Sequence, residues 1–280
     1  MSLSLGHRIH KMDDKSVVYG GVTVFDIVEE KNIVLNGTIV QERVESEGRI
    51  SATDAKIYDV VVVKKGLEAE KSIFQSIQAR KAVLLDSSVF EDIKIRWGFK
   101  ATRCPILGDI IAPAGHVDID KSDTIRSIHA ATLTLTDSTV LGDVTSLATD
   151  NYIKNSKIFG VLTISIADNI EMDISGGEIN TIHVKCPEDL DDSEDDAQSS
   201  SCSKVDAEDT PHLKNIKHFS SKKIPQQTLV LRDCIVKNVV FSDGIGAVKL
   251  EGNSPCPTIF TGKIQKKPHN KSGSKRKITL

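Results

Sequence analysis

The chain has 280 residues, enough for one large domain or two small ones with a buried core. It is 39% hydrophobic, 27% charged and only 4% aromatic, with a net charge of −3. That balance gives no global attraction to nucleic acid or membrane, and no apolar run is long enough to span a bilayer.

Residues 1–32 read as an N-terminal cap, and Met1 to Ser16 carries no signal-peptide core. A five-residue unit, apolar-apolar-polar-polar-apolar, then recurs along the chain. Its last residues are Val44, Val61, Ile77, Ile93, Ile110, Ile128, Val144, Leu162 and Ile182, spaced 17, 16, 16, 17, 18, 16, 18 and 20 apart. A further copy ends at Val239, and a degenerate one lies near Phe260 to Ile264. So narrow a period marks a repeat architecture.

The columns of this repeat carry information. The fifth position is always apolar, and the second is apolar in every copy but the first: Tyr58, Phe74, Phe90, Leu107, Ile125, Leu141, Phe159, Ile179 and Val236. The third is polar or glycine, including Glu42, Glu91 and Lys237. A charge does not face a dry interior cheaply, so the third position is expected to point out and the second and fifth to point in. Gly142-Asp143 and Gly108-Asp109 are expected to turn the chain between them, with glycine supplying a positive φ. Upstream of many units sits an alternating pair, such as Leu67/Ala69, Val117/Ile119, Leu133/Leu135, Met172/Ile174 and Leu229/Leu231. A period of two reads as a further short strand.

Strands alone at a period near 17 predict an all-β fold: one single-stranded parallel β-helix, or β-solenoid, of about ten coils. Coils stacked about 4.8 Å apart form a rod roughly 50 Å long. No coil buries its apolar face alone, so stability comes from its neighbours.

The motifs Ile106-Leu107-Gly108-Asp109-Ile110 and Val140-Leu141-Gly142-Asp143-Val144, repeated at this period, resemble those of bactofilins. These are bacterial polymer-forming cytoskeletal proteins built as right-handed, three-sided β-helices. The resemblance covers roughly residues 33–185 and 228–265. It implies a right-handed coil, a structural role and assembly in the bacterial cytoplasm. The hexapeptide acyltransferases, another solenoid family, need an aliphatic-glycine step every six residues, which this chain lacks.

Residues 186–227 interrupt the repeat. Glu188, Asp189, Asp191, Asp192, Glu194, Asp195 and Asp196 make the first half acidic; Lys214, Lys217, Lys222 and Lys223 make the second half basic. Few apolar residues and many serines predict a disordered insert that could dock a partner or accept phosphate at Ser193. The solenoid is expected to continue over 228–262. Residues 263–280 form a basic stretch, with Lys263, Lys266, Lys267, Lys271, Lys275, Arg276 and Lys277. A disordered tail of this kind is able to touch polyanions or acidic lipid.

Candidate chemistry is sparse. Asp92, Asp109 and Asp143 share the fourth column, and the first two are expected one strand spacing apart, where a carboxylate pair can share a proton. Asp after Gly is equally ordinary corner chemistry. His129 and His183 share a column three coils apart, about 15 Å, too far for one metal. Five cysteines without metal-ligand spacing read as reduced thiols, with a Cys186–Cys202 bridge the one alternative weighed. Trp97, the single tryptophan, reads as a corner plug. No cofactor or metal site is expected.

The leading functional expectation is a non-enzymatic scaffold, assembling through end coils or surface ladders in the cytoplasm. A protein-interaction module acting through the charged insert and tail, such as an effector translocated into a host cell, is the second. A carbohydrate-active enzyme with acids on one face is the third.

Overall fold

The structure, a computed structural model, describes residues 9–11, 16–146, 148–166, 171–185, 227–242, 246–260, 265–266 and 275–279. It is all-β, with 71% of the described residues in strands and a parallel sheet wound into a solenoid of about 11 turns. The second coil shows the plan: Asn32–Asn36, Ile39–Val40 and Val44–Ser46 are three short strands joined by two tight corners. Each pairs in parallel with its counterparts in the coils before and after. We call the sides they occupy faces I, II and III.

The core is a set of columns running along the rod. On face III, Ile27, Val44, Val61, Ile77, Ile93, Ile110, Ile128, Val144, Leu162, Ile182 and Val239 stack one over the next in register, and all are buried. This is the fifth position of the sequence repeat. Face I contributes Leu67/Ala69, Val117/Ile119, Leu133/Leu135, Met172/Ile174 and Leu229/Leu231, all buried as their alternation predicts. Branched aliphatics suit this arrangement because their stiff side chains pack well on a pleated surface.

The corner between faces I and II repeats with little variation. In nine coils one residue there takes a positive φ of 48–56°: Gly37, Asp54, Lys71, Asp86, Arg103, Lys121, Asp137, Asn155 and Asp233. The next residue is small and buried: Thr38, Ala55, Ser72, Ser87, Cys104, Ser122, Ser138, Ser156 and Cys234. These side chains close the turn with a ladder of hydrogen bonds. The hydroxyl of Ser122 accepts the Cys104 N–H at 3.0 Å and donates to the Asp120 carbonyl at 3.0 Å. The Ser122 N–H in turn reaches the Ser138 hydroxyl at 3.0 Å, and the Ser138 N–H reaches Ser156 at 3.3 Å. Ser72 and Ser87 do the same one coil apart. At Ala55, Ser72, Cys104, Ser122, Ser138 and Cys234 the turn thus points a backbone N–H inward, and a serine hydroxyl of the following coil satisfies it.

Both ends of face I are covered. Ile9–Lys11 pairs antiparallel with Ser16–Gly20, and Lys275–Thr279 pairs antiparallel with Gly246–Glu251. Two expectations are corrected here. Where a cap was expected over 1–32, Ser16–Gly20, Thr23–Val24 and Ile27–Glu29 already form a coil. Where a disordered basic tail was expected over 263–280, Gln265–Lys266 and Lys275–Thr279 are strands that pair with each other and close the last edge. An open row of strand hydrogen-bonding groups attracts whatever chain is at hand. The acidic and basic insert falls at 186–226, outside the described residues; Gln227 re-enters as a buried side chain whose amide donates to the carbonyls of Ile166 and Lys185 at 3.0 and 3.1 Å.

Replacing Ser122 with Val should leave the Cys104 N–H buried without a partner and cost about 1–3 kcal/mol. Ser122→Cys should cost less, because a thiol already fills this column at Cys104. Urea unfolding of the two variants measures the difference.

Candidate functional site

The corner between faces II and III carries the three candidate acids, Asp92, Asp109 and Asp143. It comes in two lengths. In units 40–44, 57–61, 89–93, 106–110, 140–144 and 158–162 the inward residues are the first and the fifth, with three residues between them. In 74–77, 125–128, 179–182 and 236–239 only two residues intervene. The second position therefore points in only at the short corners, where Phe74, Ile125, Ile179 and Val236 are buried. At the long corners the expectation fails: Tyr58 is 56% exposed, Phe90 47%, Leu107 48%, Leu141 53% and Phe159 53%. The extra residue rotates the second side chain outward and hands its place to Val40, Ile57, Val89, Ile106, Val140 and Ile158.

The glycines of this corner also act differently from expectation. Gly108, Gly142 and Gly160 are absent from the residues of positive φ. Glycine is needed there because the coils approach too closely for a side chain. A Cβ on Gly142 would stand 2.5 Å from the Arg126 carbonyl oxygen, and one on Gly108 would overlap the Glu91 carbonyl.

Asp92 and Asp109 lie on adjacent coils, as the repeat predicts, but a cation joins them. Asp109 takes the Arg126 guanidinium at 2.7 Å through Nε and at 2.5 Å through Nη2, and the same Nη2 reaches Asp92 at 3.0 Å. The Ser127 hydroxyl donates to Asp109 at 2.6 Å, and Asp92 accepts the Asp109 N–H at 3.1 Å. The Arg126 hydrogen bonds, helped by Ser127, hold the Asp109 carboxyl below the usual carboxylate range despite partial burial. A general acid at neutral pH needs the opposite shift. Asp143 stands apart and accepts the Val161 N–H at 2.8 Å, capping the next coil. All three carboxylates thus bond corner to corner along the rod.

The remaining titratable groups do not converge. His129 and His183 share an outward column on face III, three register steps apart through Thr145 and Thr163. Burial, and then Lys185, lower the His183 imidazole, which contacts the Ser242 hydroxyl at 3.1 Å. His116 meets Thr132 at 2.7 Å. Among the described residues no group of three or more His, Cys, Asp or Glu side chains could hold a metal ion. Cys104 and Cys234 are buried free thiols, and burial pushes Cys234 up to about 11, so neither is a nucleophile at neutral pH. Cys186 and Cys202 lie outside the described residues. No helix among the described residues is long and apolar enough to cross a membrane.

What sequence reasoning missed is the outer surface of this corner. Phe25, Tyr58, Phe90, Leu107, Leu141 and Phe159 each follow an inward residue of one column of stacked coils, so they fall along one edge of the rod, with Gln41, Gln75 and Arg126 at the same place in the intervening coils. The signal was present as two neighbouring apolar residues where a single inward one sufficed. No family model, no curated protein and no solved structure matches this chain.

The arginine pair makes a pH prediction. A carboxyl with a lowered folded pKa stabilises the protein above its unfolded pKa, near 3.9, and loses that contribution as pH falls through the folded value. The stability difference between the natural protein and Arg126→Met should therefore be largest at neutral pH and shrink on acidification. Denaturant titrations of both proteins at neutral and acidic pH test this. Gly142→Ala should lower stability at every pH, by about 1–3 kcal/mol, through backbone displacement.

Proposed function

We propose that the protein is a non-enzymatic scaffold: a rigid rod that associates side by side with a second copy along the edge bearing Tyr58, Phe90, Leu107, Leu141 and Phe159. The observation that carries this reading is that row of half-exposed apolar side chains. From Phe25 to Phe159 it crosses eight coil steps, about 40 Å at ~4.8 Å per step. Gln41, Gln75 and Arg126 interrupt the row, but exposed apolar side chains gathered along one edge mark an interaction surface. Its flanks are polar, with Glu42, Asp59 and Glu91 exposed beside it, which is the arrangement of an interface core with a wet rim.

A second copy is the favoured occupant because the apolar side chains stand one or two coil steps apart, with Gln41, Gln75 and Arg126 between them. Two such edges laid together share one periodicity, so side chains of one can seat between those of the other along their length. The rod ends favour this less, since antiparallel strands cover face I at both. The reading keeps the scaffold role implied by the bactofilin resemblance and, of end coils and surface ladders, takes the surface ladder on the flank. The carboxylates that a carbohydrate-active enzyme would use are engaged by Arg126 and by backbone N–H groups, which supports the non-enzymatic reading.

Sedimentation velocity across a concentration series should show a reversible dimer or larger species. The combined substitution Phe90→Ser, Leu107→Ser, Leu141→Ser should give a folded monomer, because all three side chains lie outside the core. A natural protein that stays monomeric throughout the series overturns the proposal, and so does a triple variant that associates as strongly as the parent.

A further inference from the structure

The corner between faces III and I is chemically unlike the other two. Over four consecutive coils it carries a cation at nearly every exposed position. Lys64, Arg80 and Arg96 follow the inward residues Val63, Ala79 and Ile95, which stack in register. Arg49 and Lys81 flank Gly66 in the adjoining column of face I. Lys65 and Lys94 fill the space beside them. All seven are exposed. The next coil has Pro113, Ala114 and Gly115 at this corner, so the charge stops there.

These cations are not spent on the protein's own acids. Lys64 pairs with Glu47 at 2.6 Å. The other six have no carboxylate within 4.0 Å among the described residues, although Glu68 lies nearby on face I. The arginines make the contrast plain. Arg43, Arg103, Arg126 and Arg232 each hold a carboxylate. Arg49, Arg80 and Arg96 do not, and all three stand on this corner. Leaving like charges side by side costs stability, and nothing in the fold of these coils requires it.

The only tryptophan stands at the same place. Trp97 is 44% exposed, so it is no corner plug, and the Arg80 guanidinium lies 3.3 Å from its ring centre. Two shallow depressions flank the ridge. One, of about 670 Å³, is bordered by Lys64, Gln78, Arg80, Lys94 and Arg96. The other, of about 370 Å³, is bordered by Arg49, Lys65 and Lys81.

We infer that this ridge binds single-stranded nucleic acid, without reading its sequence. A track of cations following a linear backbone, beside an aromatic–guanidinium platform for a base, is the chemistry by which proteins hold single strands. Three coil steps give about 14 Å, which an extended single strand, its phosphates spaced more widely than the ~3.4 Å rise of a duplex strand, crosses with about three phosphates. The site is independent of the self-association edge, which lies on a different corner. It also places polyanion contact on the folded rod, where the sequence had assigned it to residues 263–280.

Fluorescence anisotropy of the full-length protein with a labelled oligothymidylate tests the assignment. Binding should weaken with salt, with log K falling against log salt at a slope of about −2 for three phosphates. Arg80→Glu combined with Arg96→Glu should reduce affinity at least about tenfold while circular dichroism stays unchanged, since each lost contact to a charged group removes a factor of this order. Trp97→Ala should weaken the oligonucleotide several-fold but leave binding of polyglutamate unchanged. Undiminished oligonucleotide binding by the arginine variant overturns the proposal. Binding of a sulfated polysaccharide that is tighter than the oligonucleotide and indifferent to Trp97→Ala assigns the ridge to that class of polymer and overturns it as well. The Phe90, Leu107, Leu141 triple variant should bind the oligonucleotide like the parent, which keeps this result separate from the outcome of the association experiment.

Discussion

The structure depends on one constraint: every coil must close on itself tightly enough for the next to lie about 4.8 Å above it. A turn that tight leaves a backbone N–H facing the interior, where an unpaired donor costs as much as a lost hydrogen bond. The column of Thr38, Ser72, Ser87, Cys104, Ser122, Ser138, Ser156 and Cys234 answers it: each small side chain gives a bond to a nearby carbonyl, and Ser72, Ser87, Ser122, Ser138 and Ser156 also receive the N–H of the preceding coil. The residue before each sits in the left-handed region, a conformation that side chains other than glycine tolerate only when their surroundings hold them there. In this rod the surroundings are identical coils above and below. Turn and stack are mutually dependent, so a break in the polar column is felt beyond its own coil.

Much of this was legible from the residues. The fifth-position column and the alternating pairs appear in register and buried where the period puts them, since a parallel stack translates sequence repetition directly into spatial columns. The second-position column was legible only in part. Aligning the units on their last residue hides a difference of one residue in corner length, and that residue decides whether Phe74 or Tyr58 reaches the core. The role of glycine was misread for a related reason. A positive φ belongs to the other corner, at Asp54, Lys71 or Asp137, whose side chains gave no hint of it; Gly108 and Gly142 answer to the closeness of the neighbouring coil, which is a property of the stack. The basic corner escaped notice because its charges come one or two at a time, sixteen or so residues apart, within a chain whose net charge is −3.

The carboxylates show how a fold of this type uses acids. In a β-solenoid, a side chain at a given column has the same column of the next coil as its nearest neighbour. An acid stacked on an acid needs a cation between them, and Arg126 supplies it for Asp92 and Asp109. An acid without such a partner can cap the next backbone, as Asp143 does. Exposed pairs of this kind contribute little energy each. Their effect is to hold the long corners of adjacent coils in one register, which is what keeps the apolar side chains outside them in a line.

The three corners therefore divide the labour of the rod. Between faces I and II the side chains are buried and serve the turn itself. Between II and III the extra residue of the long coils places aromatic and aliphatic groups in water, where they gain by meeting a surface like their own. Between III and I, six of the seven cations have no carboxylate partner among the described residues, and it is from this that binding of an anionic polymer is inferred. A single repeat generates all three, since the core columns fix only the inward residues and leave the outward ones free to differ from corner to corner. Function in such a protein is thus to be sought in the columns that depart from what folding alone requires: apolar residues the core does not use, and charges the surface does not neutralise.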